Sequence, residues 1–230
     1  MFTTRPIIVE FPLRGEWFSP NTPGTKIPSH GTNRLGTRYA YDFIQVDWNR
    51  KGYPSYQSNF IKYLILGLSV KNYYCWGKSI YAPCNGIVVK TENNYDENMR
   101  TNLLGDLRNA CKNARWLDIG NEDIQKIAGN YVIIKHTENV YVAFCHLQKG
   151  SLQVSVGQSI TTGKVIGKIG HSGNSFQPHL HFQLMDNEDI TVAKGIPCVF
   201  KEYELFQNGK WEKIYNGIPV KGDRIRFTCN

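Results

Sequence analysis

Gly170-His171-Ser172-Gly173-Asn174-Ser175-Phe176-Gln177-Pro178-His179-Leu180-His181-Phe182-Gln183-Leu184 is the stretch whose reading decides the fold. A polar, glycine-bearing loop runs into Pro178, and an alternating segment follows. Phe182 and Leu184 fall on one parity, and His179, His181 and Gln183 on the other. Residues two apart on a β-strand share a face, so both imidazoles point the same way, about 7 Å apart. On a helix the same spacing would send them in different directions. Such a pair suits a metal site, or one ligand beside one acid/base group. It can also arise by chance in a chain with six histidines.

Working outward, the same β-pattern recurs. Asn130–His136 and Val140–Leu147 read as strands, and Val154–Ile160 and Lys164–Gly170 as short strands joined by glycine-bearing turns. Ser79-Ile80-Tyr81-Ala82-Pro83-Cys84-Asn85-Gly86-Ile87-Val88-Val89-Lys90 reads as strand, tight turn, strand, because Asn-Gly is a strong hairpin signal. Tyr39–Ile44 reads as a strand with Tyr41 and Phe43 on one face and Ala40, Asp42 and Ile44 on the other. A mid-strand carboxylate is costly to bury unless it is paired or ligated; a solvent-facing Asp42 is the plainer alternative. A further strand-like run is Ile7–Phe11. Residues 47–76, rich in Tyr and Trp, and 91–128, where Leu103, Leu104 and Leu107 have helical spacing, read as two insertions.

These signals predict a mostly β chain: a compact antiparallel β core of barrel or sandwich type, with two insertions containing some helix. The whole of residues 1–230 reads as a single domain. Its core spans about 29–46, 77–90 and 129–190, and residues 191–230 form a C-terminal extension with β-like and turn pieces.

Composition narrows the function. The net charge of +8 favours association with anionic polymers. The Lys and Arg residues are scattered singly, so nucleic-acid binding is not expected. No apolar run approaches the length of a membrane span. Residues 1–6 lack a signal-peptide pattern. As written the chain reads as cytoplasmic, unless it leaves by lysis or another route. The six cysteines form no Cys-x-x-Cys and read as reduced, mostly buried thiols. Cys145 directly precedes His146, so on a regular strand the two face opposite ways and Cys145 reads as packing, not as a nucleophile. His136 reads as a surface or turn residue, and His171, which opens the polar loop before the site, as solvent-facing, with the cleft lining as its alternative.

A hydrolytic zinc site needs three protein ligands and an open position for water, with a general base nearby. The helical His-Glu-x-x-His solution is absent. Candidates stand instead at the ends of four β-like segments: His30, Asp42, His146 and the pair His179 and His181.

Several blocks together resemble the lysostaphin-type (LytM-type) zinc endopeptidase family. They are Gly129–His136, Ala143-Phe144-Cys145-His146-Leu147, Val154-x-Val156-Gly157-Gln158-x-Ile160-x-x-Gly163-x-Val165-Ile166-Gly167, and Gly173-Asn174-Ser175-x-x-Pro178-His179-Leu180-His181-Phe182. Ile80-Tyr81-Ala82-Pro83-x-x-Gly86-Ile87-Val88 matches the family's hairpin. The resemblance implies a compact antiparallel β peptidase cleaving peptide cross-links or stem peptides of bacterial peptidoglycan. It implies one Zn2+ per chain on His30, Asp42 and His181, flanked by His146 and His179 as acid/base and transition-state-stabilising groups. Peptidoglycan peptides would be the partner, with anionic cell-wall polymers matching the basic charge. The site of action would be the cell wall or outside the cell, and a monomer is the expected state. In the family the first two ligands usually read His-x-x-x-Asp; here twelve positions separate His30 from Asp42, as in branches with a longer loop.

Two other readings compete. A non-catalytic peptidoglycan-binding or regulatory module could use the same fold, and such relatives have usually lost metal ligands, whereas all five groups are present here. A lipoyl- or biotinyl-type carrier shares the Val156–Ile166 hairpin pattern. Such carriers need a lysine at a hairpin tip, and Lys164 opens a strand instead.

Overall fold

Period-two alternation in Asn130–Thr137 and Val140–Leu147 leaves Val132, Ile134, Val142 and Phe144 on one face, and that face builds the core. The computed structural model describes residues 5–102 and 124–228. The helix expected around Leu103, Leu104 and Leu107 lies outside these residues.

In chain order the strands begin with β1 (Ile7–Val9), β2 (Gly15–Asn21) and β3 (Tyr41–Ile44). Helix α1 (Phe60–Leu66) and strand β4 (Leu68–Ser69) follow in the aromatic insertion, where Tyr56 packs on Tyr63 and Tyr73. Next come β5 (Ser79–Tyr81), β6 (Gly86–Glu92), β7 (Arg100–Thr101), a short helix α2 (Ile124–Ala128), β8 (Asn130–Thr137) and β9 (Val140–Leu147). The chain then forms β10 (Ser159–Ile160), β11 (Val165–Lys168), β12 (Leu180–Met185), β13 (Gly195–Ile196), β14 (Cys198–Gln207), β15 (Lys210–Gly217) and β16 (Arg224–Phe227).

The principal sheet runs β1-β14-β16-β2-β3-β12-β9-β8-β6-β10, with β13 on β12 and β15 on β14. The β1–β14 pairing is parallel, and the other strand pairings among the described residues are antiparallel. The chain is therefore mostly β, as its alternation predicts. Among the described residues no helix is long and apolar enough to cross a membrane.

One face of the sheet carries the main core, in which Tyr41, Phe43, Phe144, Phe182 and Phe200 stack and tilt against one another. Phe182 is fully buried, and truncating such a ring costs about 3–5 kcal/mol. The opposite face has a smaller cluster of Ile133, Ala143, Met185, Ile190 and Ala193. Beside it, on that same face, stand Asp42, His181 and Gln183.

Three expectations change. Asn85-Gly86 does not close a hairpin: β5 pairs with β11, while β6 pairs with β8 and β10. Ala82 exchanges backbone hydrogen bonds with Lys164 and Gly163, and Pro83 has no N–H to offer, so the turn carries the chain from one sheet to another. Of Val154–Ile160 only Ser159–Ile160 joins a ladder. The segment after Gly195 is integral to the principal sheet, with Cys198, Phe200 and Ile225 in the main core.

Candidate active site

Strand register assembles the first part of the site. His181 of β12 lies opposite Asp42 of β3 on one side and opposite Cys145 of β9 on the other, so all three share a face. His181 Nδ1 stands 3.0 Å from Asp42 Oδ1. His30 arrives from outside the sheet, with Nε2 3.0 Å from Asp42 Oδ2. Asn21, paired with Asp42 in the β2–β3 ladder, donates its side-chain amide to the same Oδ2 at 2.7 Å.

The long loop between His30 and Asp42 closes through backbone and side-chain hydrogen bonds. Ser29 N donates to Arg38 O at 3.0 Å, and Ser29 Oγ lies 3.0 Å from His30 Nδ1. Farther along, Leu35 O accepts from Gln183 Nε2 at 2.8 Å. Gly36 adopts φ +70°, and a Cβ there would stand 2.7 Å from Gln183 Nε2, so the loop can lie this close only with glycine at that point. The extra length thus wraps onto Gln183, the residue whose Oε1 holds His181 Nε2 at 2.9 Å.

His146 reaches the site by a bulge. The β8–β9 register passes from Val132 opposite Phe144 to Asn130 opposite Leu147, so two residues of β9 face Tyr131 alone. His146 takes φ +63°, a left-handed conformation uncommon outside glycine. Val142, Phe144 and Leu147 consequently enter the main core, while Cys145 and His146 both line the cleft. This corrects the expectation that Cys145 and His146 point apart. Burial first, then the charge of Asp42, pushes the Cys145 thiol up to about 12, so it remains a packed, protonated neighbour.

His146 and His179 present matching atoms. Nδ1 of His146 lies 2.9 Å from Ser172 O, and Nδ1 of His179 lies 2.8 Å from Gln177 O. A carbonyl only accepts, so each Nδ1 carries hydrogen and each neutral ring keeps its lone pair on Nε2. The two rings stand 4.7 Å apart, and His179 Nε2 is 3.5 Å from Asp42 Oδ1.

Electrostatics follow from burial and neighbours. Burial alone would raise Asp42, but His30, His179 and His181 outweigh it and hold the carboxyl well below its usual range. His146 is pushed well below an ordinary histidine by burial, then by His179 and His181. Burial also lowers His179, against the pull of Asp42. His181 is raised, because Asp42 overcomes the burial that would lower it.

His171 departs from the solvent-facing expectation: it is 1% exposed. Its N–H donates to Glu97 Oε1 at 2.8 Å, and its Nδ1 lies 3.1 Å from Ser175 Oγ. That hydroxyl is also 3.1 Å from His179 Nδ1. The burial comes from the 96–98 segment, bridged at Glu97 to Ser172, a long-range pairing with no local signature. Burial, then His179, depresses the His171 pKa to about 4. A histidine with a lowered folded pKa stabilises fully above pH 6.5, and that contribution is lost as pH falls toward 4. The difference amounts to about 3 kcal/mol. Urea unfolding from pH 7 to 4 should therefore give a flatter stability profile for His171→Leu than for the native chain.

The donor set fits a divalent metal. His30, Asp42 and His181 offer ligand atoms within 4.8 Å of one another, as do His146, His179 and His181. Donors held at about 2.0–2.1 Å around a tetrahedral ion stand roughly 3.3 Å apart, close to the 3.0 Å contacts of Asp42 with His30 and His181. Ser29 and Gln183 occupy the second ring nitrogens of His30 and His181, as outer partners of ligating imidazoles do.

Part of the chain is similar to known proteins. Residues 110–192 match the family model described as Peptidase family M23. Peptidoglycan DD-endopeptidase ShyA of Vibrio cholerae is 40% identical over 58 residues, covering 25% of this chain and 13% of that protein. Glycyl-glycine endopeptidase ALE-1 of Staphylococcus capitis is 27% identical over 126 residues, covering 51% of this chain and 32% of that protein. The chain thus spans under a third of the length of these relatives. The catalytic domain of lysostaphin from Staphylococcus simulans aligns with a TM-score of 0.38 and 16% identity, over 79% of this chain and 88% of that one. The matched segment, which holds His146, His179 and His181, is thus similar to peptidase family M23, the lysostaphin- or LytM-type peptidases.

Proposed function

We propose that the chain is a zinc-dependent endopeptidase that hydrolyses peptide bonds of bacterial peptidoglycan, with the cell wall as its site of action. The observation that carries this reading is one ionised carboxylate, Asp42, within 3.5 Å of three imidazoles, two of them from a segment far along the chain. His30, Asp42 and His181 would hold the ion. When bound, it polarises the scissile carbonyl and makes water a competent nucleophile near neutral pH.

The remaining roles belong to the protein. His146 suits the base: its Nδ1–H is fixed on Ser172 O, its Nε2 lone pair is free, and its depressed pKa keeps it neutral at pH 7. Nε2 of His146 would take a proton from the attacking water and return it to the leaving amine. His179 Nε2 lies 3.5 Å from Asp42 Oδ1, and a proton taken up on that atom during the reaction would let it donate a hydrogen bond to the developing oxyanion. Gln177 O and Ser175 Oγ fix the His179 ring through Nδ1.

The test is direct. Purified protein should contain about one zinc per chain and release soluble peptides with new amino termini from isolated peptidoglycan. Chelation should abolish release and added zinc restore it. Full release in the presence of a strong chelator would overturn the reading.

A further inference from the structure

We propose that the flank of this cleft formed by Leu35, Ile124, Ile127 and Ile190 is a side-chain subsite. It would make the chain favour peptides with an aliphatic side chain beside the cleaved bond over runs of glycine. This inference rests on the peptidase reading above and narrows its substrate.

The four residues line the same cleft, about 400 Å³ in volume, as Asp42, His146 and His179. That volume suits a short peptide segment with one or two side chains. The flank comes from three separate parts of the chain: the loop that returns His30, helix α2, and the turn after β12. It is a firm surface. Ile190 is buried against Ile133, Ala143 and Met185, and Leu35 and Ile124 pack on the same cluster.

The flank is also tied to the catalytic geometry. Asn174 N donates to Ile127 O at 3.0 Å, joining α2 to the loop before His179. Gly129, at φ +63°, lies so close to Ser172 and Gly173 that a Cβ there would strike both. Ser172 O in turn orients His146. Peptide side chains resting on Ile124 and Ile127 are therefore placed relative to His146 through one short loop.

The chemistry selects an alkyl group. Among the described lining residues there is no Lys, Arg or Glu, so a charged side chain gains no counter-charge on this flank. Phe176, 46% exposed, also lines the cleft and adds apolar surface. Glycine offers this surface nothing to cover, whereas each buried methyl gains about fourfold in affinity, and a leucyl side chain roughly tenfold or more.

Binding can be read apart from cleavage. Full-length protein in EDTA would be titrated calorimetrically with pentaglycine and with pentapeptides whose central residue is L-Ala, D-Ala or Leu. The same peptides would then be followed by mass spectrometry with zinc-loaded protein. The expected result is binding about fourfold tighter than pentaglycine for the better alanyl peptide and roughly tenfold or more for leucyl, with cleavage in the same order. Ile124→Ser and Ile127→Ser should each reduce that preference and leave pentaglycine binding unchanged, while Ile127→Val largely keeps it. Pentaglycine binding as tightly as all three substituted peptides overturns the subsite, whatever the variants do. So does a full preference in a folded Ile124→Ser/Ile127→Ser double variant. Discrimination in binding with no cleavage of any peptide or of peptidoglycan instead counts against the peptidase reading and leaves the subsite standing.

Discussion

His146→Asn is expected to lower peptidoglycan hydrolysis by roughly 10²–10⁴-fold, the usual contribution of a positioned general base, while zinc content stays near one per chain. Asparagine is the informative replacement because it tolerates the left-handed backbone of this position better than alanine does. It therefore removes the imidazole without also opposing the bulge. His146 lies outside the His30, Asp42 and His181 trio, and its Nδ1 is committed to Ser172 O, so metal retention should be intact. Zinc by elemental analysis and initial rates on the same preparation would check it. A variant that loses zinc along with activity would move His146 into the ligand set.

Asp42→Asn should behave differently. The substitution keeps the shape of the side chain and removes the charge around which His30, His179 and His181 converge. Altering an outer partner of a metal ligand commonly costs 10–100-fold in affinity, so losing a ligating carboxylate should weaken zinc binding by roughly 100-fold or more. Hydrolysis at limiting zinc should fall at least as far. Competition against a chelating dye gives the affinity, and peptide release gives the rate. Native affinity and native rate in this variant would remove Asp42 from the centre altogether. The two substitutions together separate a group that handles protons from one that holds the ion.

Much of this arrangement was legible in the residues. The bounds read for Val140–Leu147 match β9 and its alternation holds as far as Phe144, because a strand flanked by neighbours on both edges and buried on its core face is dictated by its apolar spacing. Tyr41 and Phe43 fall on the core side and Asp42 on the other for the same reason. The placement of His30 beside Asp42 rested on the family resemblance, since no local rule says where a loop twelve positions long will return.

What escaped was non-local or broke the period. The bulge that turns His146 toward the cleft depends on the mismatch between β8 and β9, which only pairing reveals. The burial of His171 depends on Glu97, 74 positions away. Asn85-Gly86 carried a strong hairpin signal, but the chain after it found better partners in β8 and β10. Gln183 shares its face with both strand histidines, and that parity was the one available hint that it would support His181.

The segment after Gly195 has a practical consequence. Strand β16 covers the outer edge of β2, and β2 carries Asn21, the amide that steadies the carboxylate of Asp42. A protein trimmed near residue 190 would leave β2 with an open, adhesive border and the aromatic interior uncapped where Phe200 and Ile225 had been. Such a fragment should clump rather than yield a smaller working enzyme. Fusion partners therefore belong beyond the last strand, since this stretch is a strut of the candidate site and not a dispensable appendage.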